Sequence, residues 1–147
     1  MTQSFVALAM PPSSPKEAGS RITIVVLTYI RAQRLMETLH RLRALPESPQ
    51  IVVADNASTD ETVWLAGFAF PEVRIVQCGS NLGAAGRNRA VAYVATEYVA
   101  FCDDDTWWAP GSLARAVRVL DASPQVGVLN VRGSKSATRA TRTRPAQ

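Results

Sequence analysis

The sequence predicts an α/β fold in which helices flank a Rossmann-like, mostly parallel sheet. From about residue 21 onward, short β-branched runs alternate with stretches of helical periodicity. The first run, residues 21–29 (RITIVVLTY), is apolar on both faces, which is typical of a strand buried inside a parallel sheet. The chain has 147 residues, 47% of them hydrophobic and 19% charged, which suits one domain with a single core.

The predicted elements follow one another in a regular order. After the first strand, residues 31–45 place leucines at helical spacing, and Pro46 lies just beyond the end of that helix. Residues 50–55 (QIVVAD) predict the second strand. Ser58 is expected to cap the next helix, with Glu61 at the third helical position. The remaining predictions are a strand at 73–77, a helix at 83–96, a strand at 98–102, a helix at 110–120 and a short strand at 126–130.

The two ends of the chain depart from this pattern. Residues 1–20 are rich in proline and serine and make a poor signal peptide, so we expect a disordered lead-in and a cytoplasmic location. Residues 132–147 predict a basic disordered tail, since they hold five of the 16 basic residues and no acidic one. The rest of the chain then has 11 basic and 12 acidic residues and is nearly neutral. We expect no nucleic-acid binding, because the tail lacks aromatic residues; contact with a membrane surface or a partner chain stays open.

Polar side chains follow the predicted strands, at the edge where open parallel sheets bind their ligands. Asp103 and Asp105 lie two residues apart and so point to the same side of an extended chain, while Asp104 points elsewhere and is free to bind a ligand hydroxyl. With no lysine predicted nearby, we expect a divalent cation to offset the pair, and carboxylate oxygens favour Mg²⁺ or Mn²⁺. The alternative is a solvated acidic turn that caps the next helix, which explains one aspartate better than three.

Two further segments follow predicted strands. Asp55 either closes an Asx-type turn or forms a hydrogen bond with a ligand. Residues 81–88 (NLGAAGRN) are small enough to let a ligand approach the backbone, and Arg87 has the reach and charge to bind a phosphate. Neither a dinucleotide fingerprint nor a P-loop is present. A phospho-acceptor signalling domain needs an acidic pair after the first strand and a lysine after the last, and the sequence has neither. Cys78 and Cys102 are expected to be small buried hydrophobes.

Four segments together resemble family 2 glycosyltransferases, the inverting nucleotide-sugar transferases of GT-A fold. In chain order they are IVVLTYIR (24–31), VVADNASTD (52–60), NLGAAGRN (81–88) and FCDDDTWWAPGSL (101–113). The resemblance identifies residues 21–131 as part of a nucleotide-sugar-binding domain. It implies a UDP-, dTDP- or GDP-sugar donor, bound through a DxD-held divalent metal, and transfer of the sugar to an acceptor hydroxyl.

The resemblance also implies roles for individual residues. Those expected to line the nucleotide-sugar pocket are Thr28, Tyr29, Arg31, Asp55, Asn81, Gly83, Arg87, Asp103 and Asp104. Among them, Asp55 would form a hydrogen bond with the base and Asp104 would lie near the ribose. Asp103 and Asp105 would form the DxD that binds the metal, with Asp105 holding the metal on the diphosphate.

The catalytic base of that family comes from the second half of its domain, together with the acceptor site. No acidic residue follows Asp121 in this sequence, so no catalytic residue is identified. Two functions therefore stay open. One is a glycosyltransferase-type protein whose acceptor half comes from elsewhere; the other is a non-catalytic nucleotide-binding module or an inactive truncated remnant.

Overall fold

A computed structural model describes residues 14–131 and 138–142. Within these residues, six strands form one sheet: β1 (Ile22–Thr28), β2 (Gln50–Asp55), β3 (Arg74–Gln77), β4 (Tyr98–Asp103), β5 (Val128–Val131) and β6 (Thr138–Arg142). Their order across the sheet is β3-β2-β1-β4-β6-β5. The first four strands are parallel, whereas β6 runs antiparallel to both β4 and β5. The predicted α/β class with a mostly parallel sheet is confirmed.

The described residues form five α-helices beside the sheet: α1 (Pro15–Ser20), α2 (Ala32–Arg43), α3 (Thr62–Ala69), α4 (Gly86–Val91) and α5 (Ser112–Ala122). Successive side chains of β1 point to opposite faces of the sheet, because the direction of side chains in a strand repeats every two residues. Ile24 and Val26 belong to the larger core cluster, which also holds the buried leucines of α2 and α5. Val25 belongs to a smaller cluster that contains Ala90 of α4. Because both faces are covered, β1 is apolar on both sides, as the sequence predicts.

Two predicted helix starts are placed differently in the structure. Ser58 does not cap α3: its hydroxyl accepts the Ile30 N–H at 2.8 Å, and α3 begins four residues later. The Asp60 carboxylate accepts the Thr62 N–H at 3.1 Å instead. The predicted helix at 83–96 divides into a short 3₁₀ turn at 83–85 and α4. The prediction of Ser58 as a cap is therefore wrong, because this serine joins two loops rather than opening a helix.

Both predicted disordered ends contain ordered segments. The prediction of disorder through residue 20 is wrong for residues 14–20, where the Ser14 hydroxyl accepts the Glu17 N–H at 3.2 Å and Pro15 opens α1. The predicted tail is wrong for residues 138–142, which form β6 between β4 and β5. That strand is held by backbone pairing, which leaves little signature in a polar sequence. The rest of the two predicted segments, 1–13, 132–137 and 143–147, lies outside the described residues.

Within residues 14–131 and 138–142, no helix is long and apolar enough to cross a bilayer.

A partly buried ion-pair network closes the end of the sheet opposite the carboxyl ends of the parallel strands. Arg21, at the entry to β1, binds Glu97 at 2.6 Å and Asp121 at 2.7 Å. The Asp121 side chain is only 8% exposed and also accepts the Tyr98 hydroxyl at 2.5 Å. Hydrogen bonding to Asp121 raises the pKa of Arg21 above its ordinary value. The network therefore ties the start of β1 to the end of α5.

Replacement of Arg21 by methionine is expected to lower the free energy of unfolding by about 2 kcal/mol. The loss follows because Asp121 stays buried without its guanidinium partner, and it is moderated because Arg21 and Glu97 are partly exposed. Urea denaturation measures the change, with Arg34→Met on exposed α2 surface as the control of equal charge. Equal losses in the two variants would contradict a specific role for Arg21.

Candidate functional site

The carboxyl ends of β1, β2 and β4 open into one pocket of about 430 Å³. Strand register brings these ends together, since Thr28 lies beside Asp55 and Leu27 beside Asp103. The pocket is lined by Leu27, Thr28, Tyr29, Arg31, Asn56, Asn81, Gly83, Ala84, Arg87, Asp103, Asp104 and Asp105. Every residue that the sequence proposes for the site is in this lining except Asp55. The four segments of the sequence motif thus meet at one edge of the sheet.

Asp104 is the buried member of the three consecutive aspartates, with only 5% of its surface exposed. The Thr28 hydroxyl donates to its carboxylate at 3.0 Å, and the Thr38 hydroxyl donates to its backbone carbonyl at 2.7 Å. Burial raises the pKa of Asp104 above its usual range, and the hydrogen bond from Thr28 opposes that rise. Asp104 therefore anchors the end of β4 to β1 and α2, and its carboxylate is held by Thr28 and Arg31 rather than free as the sequence predicts.

Asp103 and Asp105 are the exposed members, and each has an arginine partner. Nη2 of Arg87 donates to Oδ1 of Asp103. Nη1 of Arg31 lies 3.4 Å from Oδ2 of Asp105 and 3.3 Å from Oδ1 of Asp104. The sequence analysis expected a divalent cation to offset these carboxylates and did not foresee an arginine beside them. In the structure, the sheet order brings two arginines from other segments to these carboxylates.

The turn after β4 is fixed by Cys102 and Thr106. The Cys102 thiol donates to the Thr106 carbonyl at 2.7 Å, and the Thr106 hydroxyl accepts the Asp103 N–H at 2.9 Å. Burial raises the pKa of Cys102 to about 12, so this thiol stays protonated and unreactive. Cys102 is thus the small buried hydrophobe that the sequence predicts, while Cys78 is half-buried.

Asp55 and Asn56 divide the roles that the sequence assigned to Asp55 alone. Asp55 is 1% exposed, and its carboxylate accepts the Ser58 N–H at 3.1 Å, as an Asx-type turn requires. Asn56 lines the pocket in its place and donates from Nδ2 to the Gly83 carbonyl at 2.9 Å. The sequence analysis missed Asn56, although its position directly after a predicted strand end was the available signal.

Gly86 allows α4 to approach the end of β2. A Cβ at this position would lie 2.3 Å from Oδ1 of Asn56 and 2.9 Å from Leu27, so no larger residue fits without movement. The spacing of small residues in 81–88 thereby positions Arg87, the next residue along α4, at the pocket wall. Nε of Arg87 is buried and has no hydrogen-bond partner among the described residues.

Comparison with known proteins gives consistent matches. The sequence model of the family described as Glycosyl transferase family 2 matches residues 23–146. N-acetylglucosaminyl-diphospho-decaprenol L-rhamnosyltransferase of Mycobacterium tuberculosis is 29% identical over 121 residues, which cover 74% of this chain and 39% of the relative. Human beta-1,4 N-acetylgalactosaminyltransferase 1 is 30% identical over 117 residues, which cover 79% of this chain and 21% of the relative.

Solved structures share the fold. A mannosyltransferase from Pyrobaculum calidifontis, in complex with GDP-Man and Mn²⁺, superposes with a TM-score of 0.75 at 24% identity and covers 92% of this chain. S. aureus TarS in complex with UDP-GlcNAc superposes with a TM-score of 0.63 at 25% identity and covers 79% of this chain. The matches extend over 47% and 37% of those two structures, so the chain spans less than half the length of each of these proteins.

Proposed function

This chain belongs to glycosyl transferase family 2, and we propose that its pocket binds a nucleotide-sugar donor together with a divalent cation, for transfer of the sugar to an acceptor hydroxyl. The observation that carries the proposal is the convergence of acidic and basic side chains in one pocket of about 430 Å³. A nucleotide sugar needs both, because its diphosphate is anionic and its cation needs oxygen ligands.

The arginines supply the anion-binding part of the proposed site. Arg31 and Arg87 both line the pocket, and a guanidinium matches phosphate oxygens in charge and geometry. The buried Nε of Arg87 has no hydrogen-bond partner among the described residues, so this N–H is available to donate to a ligand. An arginine at the wall of a polar pocket with an unused buried donor supports binding of the diphosphate.

The aspartates supply the proposed cation-binding part, and their chemistry fits Mg²⁺ or Mn²⁺. Across the described part of the chain, no three acidic, histidine or cysteine side chains are grouped closely enough to hold a metal by themselves. That agrees with Mg²⁺, which usually takes one or two carboxylates together with substrate phosphates. Asp103 and Asp105, with side chains 53% and 45% exposed, would hold the ion. A bound cation supplies stabilisation of the negative charge on the departing nucleoside diphosphate.

The nucleoside would occupy the side of the pocket formed by β1 and β2. Tyr29 is 42% exposed there and offers a ring face, while Asn56 lies at the end of β2. Asp55 would then position the 55–58 turn beside the base, since its carboxylate accepts the Ser58 N–H. Asp104 would face the ribose. The solved neighbours carry GDP-Man, UDP-GlcNAc or UDP. We therefore propose the donor class, a UDP-, dTDP- or GDP-sugar. No described residue is proposed as the catalytic base.

Thermal melting tests this proposal directly. With Mn²⁺ present, one of the UDP-, dTDP- or GDP-sugars is expected to raise the melting temperature by about 5 °C or more when it is supplied at about 100 times its Kd. EDTA should remove most of that rise, and the matching nucleoside without phosphates should give none. The absence of any shift with every nucleotide at millimolar concentration would overturn the proposal.

A further inference from the structure

The two carboxylates proposed to bind the cation already hold two positive charges. Asp103 accepts a hydrogen bond from Arg87, and Asp105 lies 3.4 Å from Arg31. A guanidinium stays charged at every pH that a protein tolerates, so each arginine opposes a metal ion at the same carboxylate. Arg87 holds one oxygen of Asp103 and Arg31 one oxygen of Asp105, so a cation binds there against two positive charges unless these ion pairs separate.

The pairs are weak enough to separate. The Arg31 and Asp105 side chains are 54% and 45% exposed, and the Arg87 and Asp103 side chains are 25% and 53% exposed. Ion pairs at such exposure contribute at most about 1 kcal/mol. Arg31 can release Asp105 while it keeps its contact with Asp104, whose side chain is only 7% exposed. Arg87, by contrast, has one carboxylate partner among the described residues and one unused buried donor.

We propose that Arg31 and Arg87 neutralise Asp105 and Asp103 before ligands bind, and that the cation replaces them there only when a nucleoside diphosphate binds. The proposal rests on the donor-binding function proposed above. In the exchange, Arg87 moves its hydrogen bond from Asp103 to a phosphate oxygen, and Asp103 becomes available as a metal ligand. Arg31 likewise leaves Asp105 for the diphosphate. No covalent bond changes, and each charge exchanges one partner for another.

This exchange makes the cation and the nucleotide bind cooperatively. Without a diphosphate, the arginines hold the carboxylates and oppose the cation, so the cation alone binds weakly. Without the cation, the arginines must leave Asp103 and Asp105 unpaired to reach the phosphate, so the nucleotide alone also binds weakly. When both ligands bind, each one raises the affinity for the other. By thermodynamic linkage, the factor by which the cation raises nucleotide affinity equals the factor by which the nucleotide raises cation affinity.

Replacement of Arg87 by glutamine tests the exchange. We expect this variant to bind Mn²⁺ more tightly than the native protein in the absence of nucleotide, by about 3- to 10-fold, because Asp103 no longer has a competing cation. It should bind the nucleoside diphosphate about 10-fold more weakly, since one phosphate ligand is lost. Electron paramagnetic resonance of free Mn²⁺ measures the first quantity without any enzyme activity. Calorimetric titration with the nucleoside diphosphates UDP, dTDP and GDP measures the second.

Arg89→Gln is the matched control, because Arg89 lies exposed on the same helix outside the pocket lining and the substitution removes the same charge. It should leave both affinities within about 2-fold of native. Arg87→Lys is a second variant that keeps the charge, and it should keep the weak Mn²⁺ binding of the native protein. Thermal melts show whether each variant is folded.

The outcomes distinguish the exchange from the proposed donor-binding function on which it rests. Tighter Mn²⁺ binding by Arg87→Gln, but not by Arg89→Gln or Arg87→Lys, supports the exchange. Unchanged or weaker Mn²⁺ binding by that variant, in a folded protein, overturns it and leaves Arg87 as a simple phosphate ligand. If no nucleoside diphosphate binds the native protein, the proposed function fails instead, and the Mn²⁺ titration still decides whether Arg87 opposes the cation.

Discussion

Replacement of Gly19 by alanine is expected to lower the free energy of unfolding by about 3 kcal/mol or more. Gly19 lies in α1 and is buried against the loop that follows α2. A Cβ at this position would lie 1.6 Å from the backbone oxygen of Glu47 and 2.6 Å from its carbonyl carbon. Because the obstacle is backbone, no side-chain rotation relieves the overlap, and α1 or the loop must move.

Gly67→Ala is the matched control for this prediction. Gly67 is also helical, and a Cβ there would meet only Cδ1 of Ile75, at an ordinary 3.8 Å. Alanine at this position should leave stability unchanged or raise it by up to about 1 kcal/mol, because alanine favours the helix. Urea denaturation of both variants measures the difference. If Gly19→Ala is as stable as Gly67→Ala, α1 does not pack against the Glu47 carbonyl as described.

The reason for the contact is a junction built around Glu47. This side chain is fully buried, and its Oε1 accepts the Ala114 N–H in the first turn of α5 at 3.4 Å. Gly19 brings α1 onto the backbone of the same residue. One loop therefore joins α1 to α5 across the edge of the core. Residues 14–20 are thus a structural part of the domain, which explains why a prediction of disorder made from proline and serine content failed for them.

Local patterns were sufficient to predict the parallel part of the fold. β1 and β2 are buried runs of β-branched residues, and α2 and α5 carry leucine and valine at helical spacing. The pocket could be predicted for a related reason, because parallel strands deliver their following residues to one edge of the sheet. This is why Thr28, Asn81 and Asp103 could be grouped before their positions were known.

The remaining features depend on partners that are distant in sequence. β6 is held in place by backbone pairing with β4 and β5. Its sequence, TRATR, has no apolar pattern from which a strand could be predicted. The pairing of Arg31 with Asp105 joins residues 74 positions apart. Such contacts arise from the order of strands in the sheet, which a pattern along the chain does not contain. The electrostatic problem of three adjacent aspartates could be stated from sequence, but its solution by two arginines could not.

Replacement of Asp105 by asparagine is expected to lower nucleotide affinity measured with Mn²⁺ by about 100-fold. The affinity measured in EDTA should stay unchanged or rise a few-fold, because Arg31 no longer has to leave Asp105 to reach the phosphate. The amide keeps the size of the carboxylate and loses the charge that the cation needs. Stability should change by less than about 0.5 kcal/mol, because the ion pair with Arg31 is exposed. Titrations of the nucleoside diphosphate in Mn²⁺ and in EDTA give the two affinities.

The control for Asp105→Asn is Glu37→Gln, which removes the same charge from an exposed position on α2 outside the pocket lining. It should retain the full difference between Mn²⁺ and EDTA. The comparison isolates the effect of the cation, because Asp105 pairs with Arg31 before the ligands bind and would bind the metal once they are present. A variant that loses affinity equally in Mn²⁺ and in EDTA would contradict a metal-binding role. It would show instead that Asp105 serves the nucleotide by positioning Arg31, so the ratio of the two affinities, rather than either value alone, decides between these roles.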